Sequence, residues 1–277
     1  MIKAFIFDLD GTIVSPATGT YSPAIREAFT QLRAAGFLLF AATGRSPYEF
    51  AVTKMIDGLE FDAIICLNGQ YCYNSERTIF CRPFSVSQSE AILHHAIASG
   101  YPCAVIGTGT TYISHSNTQV AAAQAYVHTP VPQQRELTNF LGQEILMFTF
   151  YVPEAEQAAF LRPLHGVTAA RWHPFAFDIV PAGGGKKAGI EAVLTAYGLC
   201  WNDVMAFGDG DNDLEMLQCA SRGIAMQDSS QLLLNAGFEL TGPADADGVV
   251  TALQRHGFLP RAPVLERRFP NAKRDRG

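Results

Sequence analysis

The sequence has no paired cysteines. Its six (Cys66, Cys72, Cys81, Cys103, Cys200, Cys219) are scattered through 277 residues without a C-x-x-C pair. That argues against a disulfide framework or a thiolate metal site and leaves buried, reduced thiols. It also has no run of about 18 apolar residues, which excludes a helical membrane span. No hydrophobic leader follows Met1-Ile2-Lys3, so a cytoplasmic protein is expected. Basic charge is scarce, with a formal net charge of −6, which speaks against nucleic acid as the main partner. There is no G-x-S-x-G, hence no serine-hydrolase elbow. The stretch GGGKK at 183–187 has Val180 where a phosphate-binding loop needs its first glycine and Lys187 where it needs Ser or Thr.

What is present is a large apolar fraction, 48%, enough for one or two domains with sizeable cores. Apolar strands are expected at 2–9, 37–43 and 63–68, with a helix at 22–35. Ser22 is the expected N-cap of that helix, Pro23 its first residue and Gly36 its stop. This β-α-β alternation is that of a parallel α/β sheet, whose ligands sit at the carboxyl ends of the strands. Asp8, Asp10, Thr43 and Asn68 all fall at such ends.

From about residue 82 to 182 the character changes. Charge thins out, and six of the seven histidines lie there. Helices are expected at 88–99, 118–127 and 154–163, with strands near 103–107, 110–114 and 145–152 and two more within 167–180. An inserted α+β domain over 82–182 fits this mixture. The α/β alternation then resumes, giving a discontinuous core of 1–81 and 183–277. Within it the segment 261–277 carries six Lys/Arg against two Asp/Glu, a net +4 that leaves −10 on the rest. It reads as a flexible basic tail.

Two clusters carry chemistry. In FIFDLDGT (5–12), Asp8 and Asp10 stand at the end of a buried strand. Two close carboxylates are costly without a cation, though a hydrogen-bonded turn is the plain structural alternative. In FGDGDNDLEML (207–217), Asp209, Asp211, Asn212 and Asp213 are oxygen donors suited to a hard cation. A calcium loop counted from Asp209 fails, because Leu214 and Ala220 stand where Gly and Glu are needed. A capped helix remains the alternative there. Lys186 follows the glycine turn and Arg45 follows Thr43-Gly44, and both could meet an anion. Arg171 and His173 lie where the insertion returns to the core.

The set of motifs resembles the haloacid dehalogenase-like phosphatases, in particular their Cof-type branch, subclass IIB. The motifs are Asp8-Leu9-Asp10-Gly11-Thr12, Thr43-Gly44-Arg45, Lys186, and Gly208-Asp209-Gly210-Asp211-Asn212-Asp213. Their order matches, and the likeness covers residues 1–257. It implies a Rossmann-like three-layer core with a mainly parallel sheet and an inserted α+β cap. It implies Mg²⁺-dependent hydrolysis of a small phosphate monoester through an aspartyl-phosphate, with Asp8 as nucleophile and Asp10 as general acid and base. Thr43 and Lys186 complete the catalytic set. Asp8, Asp10 (through its carbonyl) and Asp209 are the implied metal ligands, with Asn212 and Asp213 behind them. Thr12, Gly44, Arg45, Asn68, Gly69, Arg171 and His173 are the expected substrate contacts. Transfer to another acceptor, as in a phosphomutase, and a silent binding module are the alternatives. Two departures stand out: Lys187 replaces the usual Gly after the motif lysine, and Gln227-Asp228-Ser229 replaces the usual Gly-Asn-Ala.

Overall fold

The computed structural model describes residues 1–260, so the basic segment 261–277 lies outside the described residues. Strands β1 (Ala4–Phe7), β2 (Leu38–Ala42) and β3 (Ala63–Cys66) alternate with helices α1 (Pro23–Ala34) and α2 (Pro47–Thr53). β4 (Tyr71–Tyr73) and β5 (Thr78–Cys81) follow as a hairpin. The chain then makes α3 (Val86–Ser99), β6 (Cys103–Ile106), β7 (Thr111–Ile113), α4 (Thr118–Tyr126), β8 (Gln133–Gln134) and β9 (Met147–Phe150). After α5 (Glu154–Leu161) come β10 (Val167–His173) and β11 (Ala176–Pro181). It closes with α6 (Lys186–Ala196), β12 (Val204–Gly208), α7 (Leu214–Cys219), β13 (Arg222–Met226), α8 (Gln231–Asn235), β14 (Glu239–Thr241) and α9 (Gly248–Arg255).

Two sheets result. The first runs β14-β13-β12-β1-β2-β3-β4-β5, parallel except where β4 pairs with β3 and β5. One face buries Phe7, Phe29, Leu32, Phe207 and Leu253 beneath α1 and α9; the other buries Ile6, Phe40, Ile190, Val193 and Met216 beneath α6 and α7. This is the three-layer arrangement that the apolar strands call for. Each fully buried large side chain contributes roughly 1.5–3 kcal/mol. The second sheet runs β10-β11-β9-β6-β7-β8. One face packs Phe148, Phe150 and Phe177 against Ile92, Leu93 and Phe160 of α3 and α5. The chain passes between the sheets twice, at 82–85 and 182–185. There the Arg82 guanidinium donates to the carbonyls of Ala182 and Gly183 at 2.7 and 2.8 Å and ties the two passages together.

Ser22 caps α1 as expected, accepting the Ile25 N–H, with Pro23 first in the helix. Six short elements are absent from the sequence reading: α2, β4, β5, β8, α8 and β14. For α2 a signal existed. Ser46-Pro47-Tyr48-Glu49 is a capping box, and both of its reciprocal hydrogen bonds form.

Candidate active site

β1 sits between β2 and β12, where the sheet order reverses direction, so the residues following these strands open into one crevice. Asp8 continues the ladder through its N–H to the Phe207 carbonyl, at 2.9 Å. Its carboxylate meets Lys186, the first residue of α6. Nζ donates to Asp8 Oδ1 at 2.5 Å and to Asp213 Oδ1 at 2.6 Å. The lysine reaches this point because the turn at Gly69 and the start of α6 pass almost in contact: a Cβ on Gly69 would lie 2.2 Å from the Gly185 carbonyl oxygen. Asp213 Oδ2 accepts the N–H groups of Asp209 and Gly210, each at 3.0 Å. Asp213 is therefore fully engaged in shaping its own loop. Thr12 donates its hydroxyl to Asp209 Oδ1 at 2.8 Å. Gly11, at φ +82°, leaves room for Asp209, whose Oδ2 would stand 2.3 Å from a Cβ at that position.

Three carboxylates, Asp8, Asp209 and Asp213, offer oxygens within 4.8 Å of one another. The Lys186 ammonium is the cation bonded between two of them. Burial pushes the Asp8 carboxyl well above the ordinary range, against the pull of Lys186. Burial and the neighbouring Asp213 push Asp209 up to about 7, against the Thr12 hydroxyl. Burial alone would lower Lys186, but Asp213 and Asp8 together hold it above its ordinary value and charged. A second cation would relieve this surplus of buried negative charge. Hard oxygen donors suit Mg²⁺, and the second oxygens of Asp8 and Asp209 accept no hydrogen bond from Lys186 or Thr12.

The β2 end supplies Thr43, Gly44 and Arg45. Thr43 is buried, and its hydroxyl accepts the Arg45 N–H at 3.1 Å. The Arg45 side chain does not stand free for an anion. Nε and Nη2 grip both oxygens of Asp10, at 2.8 and 2.6 Å. Nη2 and Nη1 also reach the Val127 carbonyl at 2.7 Å and the Thr129 hydroxyl at 2.6 Å, both on the segment after α4. The β3 end turns through Leu67, Asn68 and Gly69, all at positive φ (54°, 51° and 87°). Two consecutive non-glycine residues in that region store strain of order 1–3 kcal/mol each. The turn aims Asn68 in two directions: its Oδ1 accepts from Asn212 Nδ2 at 2.9 Å, and its Nδ2 donates to Asp178 Oδ2 at 3.3 Å.

A cavity of about 480 Å³ lies between these strand ends and the second sheet. Asp8, Asp10, Thr43, Gly44, Arg45, Asn68, Asp209, Asn212, Asp213 and Arg171 all line it. The remaining expected residues stand back from its wall. Thr12 and Lys186 act on it through Asp209 and Asp8. Gly69 provides the close crossing with α6. His173 stacks beside Tyr126 and Trp172, and its Nδ1 accepts the Phe175 N–H at 3.2 Å. Arg171, although on the wall, is engaged elsewhere. It donates to Gln157 at 2.5 Å and to the carbonyls of His173 and Val152, and it lies over the Phe177 ring. Sequence reasoning missed Glu49, Gln124, Tyr151, Trp172 and Asp178, all on the wall. For Asp178 the signal was a lone carboxylate inside the apolar run FAFDIV (175–180).

Known proteins resemble this chain along most of its length. The chain is 28% identical over 260 residues to the Bacillus subtilis protein named "Putative phosphatase YkrA", covering 93% of this chain and 98% of that one. It is 24% identical over 276 residues to the Escherichia coli pyridoxal phosphate phosphatase YbhA, covering 92% and 98%. Among solved structures, the subclass IIB sugar phosphatase BT4131 superposes with a TM-score of 0.83 at 27% identity, over 93% of this chain and all of that one. The family model of the haloacid dehalogenase-like hydrolases matches residues 5–253. With that match over most of its length, the chain belongs to the haloacid dehalogenase-like hydrolases.

Proposed function

We propose that this protein is a phosphatase that hydrolyses small phosphate monoesters, sugar phosphates or phosphorylated cofactors, through a phosphoryl group carried on Asp8. The observation that carries the reading is the floor itself. Asp8 is held by the buried Lys186 at the mouth of β1, with Asp209 beside it and a second carboxylate, Asp10, on the same wall. Family membership and the phosphatase relatives support the same chemistry.

The steps are assigned to this chain's residues. An Asp8 oxygen attacks phosphorus in line, and the ester P–O bond breaks. Asp10 gives its proton to the departing alcohol oxygen, then takes one from the water that attacks the phosphoryl-Asp8. Phosphate leaves and Asp8 is free again. Lys186 keeps the attacking carboxylate oriented and offsets charge as it builds on the phosphoryl oxygens. Thr43 and the N–H groups of the turn it begins hold one of those oxygens. Asp213 fixes the loop that presents Asp209. Mg²⁺, held by Asp8, Asp209 and the Asp10 carbonyl with Asn212 close by, would neutralise the phosphoryl oxygens so that an anionic nucleophile can approach. Asp10 has both oxygens on Arg45 in the present arrangement, so proton transfer requires Arg45 to release at least one of them.

We also assign residues 1–81 and 183–260 to the catalytic core and 82–182 to a cap, on the strength of the two separate sheets; 261–277, expected as part of that core, lies outside the described residues. The test is phosphate release from a panel of phosphate monoesters with and without Mg²⁺, beside Asp8→Asn. Release that needs Mg²⁺ and disappears in Asp8→Asn is expected. Release that persists in Asp8→Asn contradicts the assignment.

A further inference from the structure

The underside of the six-stranded sheet roofs the cavity, and its composition follows from the period-two alternation of strands. The face toward α3 and α5 is aromatic (Phe148, Phe150, Phe177). The opposite face places Asp178 of β11 directly across from Thr149 of β9, and Thr149 across from Ala104 of β6. All three line the cavity. Asp178 is buried, and every partner it has is neutral. Oδ1 accepts from the Thr149 hydroxyl at 2.7 Å and Trp172 Nε1 at 3.1 Å, and Oδ2 accepts only the long bond from Asn68. Two further wall residues carry buried polar atoms without a partner, the Thr111 hydroxyl and Gln124 Oε1. Both side chains are 8% exposed. The other end of the Gln124 amide is fixed, donating to the Tyr151 hydroxyl at 2.6 Å. Buried polar groups are normally paired, so two orphans on one cavity wall ask for a partner that enters it.

Among the described residues the wall has no free cation. Its two basic residues are Arg45, closed on Asp10, and Arg171, closed on Gln157 and two carbonyls. Near the roof the uncompensated groups are two acceptors, Asp178 Oδ2 and Gln124 Oε1, and the Thr111 hydroxyl, which can accept or donate. Trp172, Tyr126 and Met147 add apolar surface beside them.

From this we infer that the roof is a leaving-group subsite in which Asp178, Gln124 and Thr111 accept hydrogen bonds from an uncharged, hydroxyl- or N–H-bearing alcohol and turn away one that carries a second anion. This inference rests on the proposed phosphatase reading of the floor. The phosphate is held at the strand ends, and the alcohol half projects toward β9 and β11. A carboxylate or second phosphate there meets Asp178 at short range, and among the described residues the nearest guanidinium on that side, Arg171, is already held by Gln157 and two carbonyls. Like-charge juxtaposition of that kind costs several kcal/mol.

Glycerol phosphate and phosphoglycerate test this directly, because they differ only in a CH₂OH against a carboxylate. With Mg²⁺ present, wild-type kcat/KM should favour glycerol phosphate by about tenfold or more, the equivalent of about 1.4 kcal/mol. Asp178→Asn should shrink that ratio, and Gln124→Glu, which adds an anion to the same wall, should enlarge it. Opposite movements cannot come from general damage to the fold. Binding of the two esters to Asp8→Asn, read by calorimetry, reports the same preference without turnover. Equal efficiency for the two esters, or a ratio that neither substitution moves, overturns the subsite and leaves the phosphatase reading intact. No release from any ester, with the binding preference retained, overturns the phosphatase reading and leaves the subsite standing. Failure of both esters to bind overturns both.

Discussion

Two strands of this protein carry nearly the same phrase. FIFD (5–8) ends β1 in the floor of the cavity, and FAFD (175–178) runs into β11 in its roof. Each buries an aspartate in an apolar strand. The partners differ. Asp8 has an ammonium at 2.5 Å, whereas Asp178 has a hydroxyl, an indole N–H and an amide. An ammonium favours the charged form of a carboxylate against its burial and aims it, which suits a nucleophile. Neutral donors orient a carboxylate without supplying a counter-charge, so once ionised it still discriminates among what enters. Burial, with the Thr149 and Trp172 hydrogen bonds opposing it, pushes Asp178 up to about 7. On the proposed reading the floor serves reaction and the roof choice.

The largest test of that division is Asp8→Asn. Loss of the nucleophile should cut phosphate release by about a thousandfold or more, measured as kcat on any ester the wild type accepts. Activity within tenfold of wild type would dissolve the distinction between the two aspartates.

Lys186→Met comes next. It strands Asp8 and Asp213 without their buried partner, and breaking a buried pair from one side costs about 3–5 kcal/mol. Denaturant midpoints should fall accordingly. A midpoint equal to wild type would mean that the floor does not depend on its lysine.

Arg45→Lys probes the connection between the two regions. One guanidinium now holds Asp10, Val127 and Thr129 together, and an ammonium cannot reproduce that fork. A loss of about tenfold in kcat/KM is expected, with faster hydrogen exchange over 127–129. Unchanged exchange would show that the fork does not hold the two regions together.

The smallest effect concerns the roof. Because Asp178 titrates near 7 in the folded protein and at the ordinary carboxylate value when unfolded, the folded state binds the extra proton between those limits. Its contribution therefore weakens stability as pH rises from about 4 to about 7. Asp178→Asn removes that slope, so the variant should gain on the wild type as pH rises through this window and keep the gain above it. Denaturant midpoints across the range measure it. A difference that stays flat with pH would mean that Asp178 is not held against ionisation.

The floor was legible in the sequence because its chemistry is written in short contiguous runs, Asp8 to Thr12 and Gly208 to Asp213, each at a strand end. Lys186 was legible through the glycine turn before it. The three-layer core could be read from apolar strands and from Ser22-Pro23, which opens α1. The roof was harder, because its residues come from separate elements and meet only through cross-strand register: Asp178 beside Thr149, Thr149 beside Ala104. Position along the chain pointed instead to Arg171 and His173 at the return to the core. In the fold Arg171 serves the backbone of its own sheet, and His173 packs among aromatic rings. Arg45 was found, but its grip on Asp10 depends on a partner 35 positions away, which no local pattern records. Gly69 was expected at the substrate, and a further constraint on it, the crossing with Gly185 and Gly189, appears only when the two segments are packed.

On the proposed mechanism the aspartate paired with Lys186 takes up the phosphoryl group and the aspartate without a cation does not. Rapid acid quench during turnover of a small phosphate monoester with Mg²⁺, followed by peptide mass spectrometry, tests it most directly. A phosphoryl group on the peptide containing Asp8, and none on the peptide containing Asp178, is the predicted result. Phosphate release with no phosphorylated Asp8 peptide, or with the group on another residue, would contradict it.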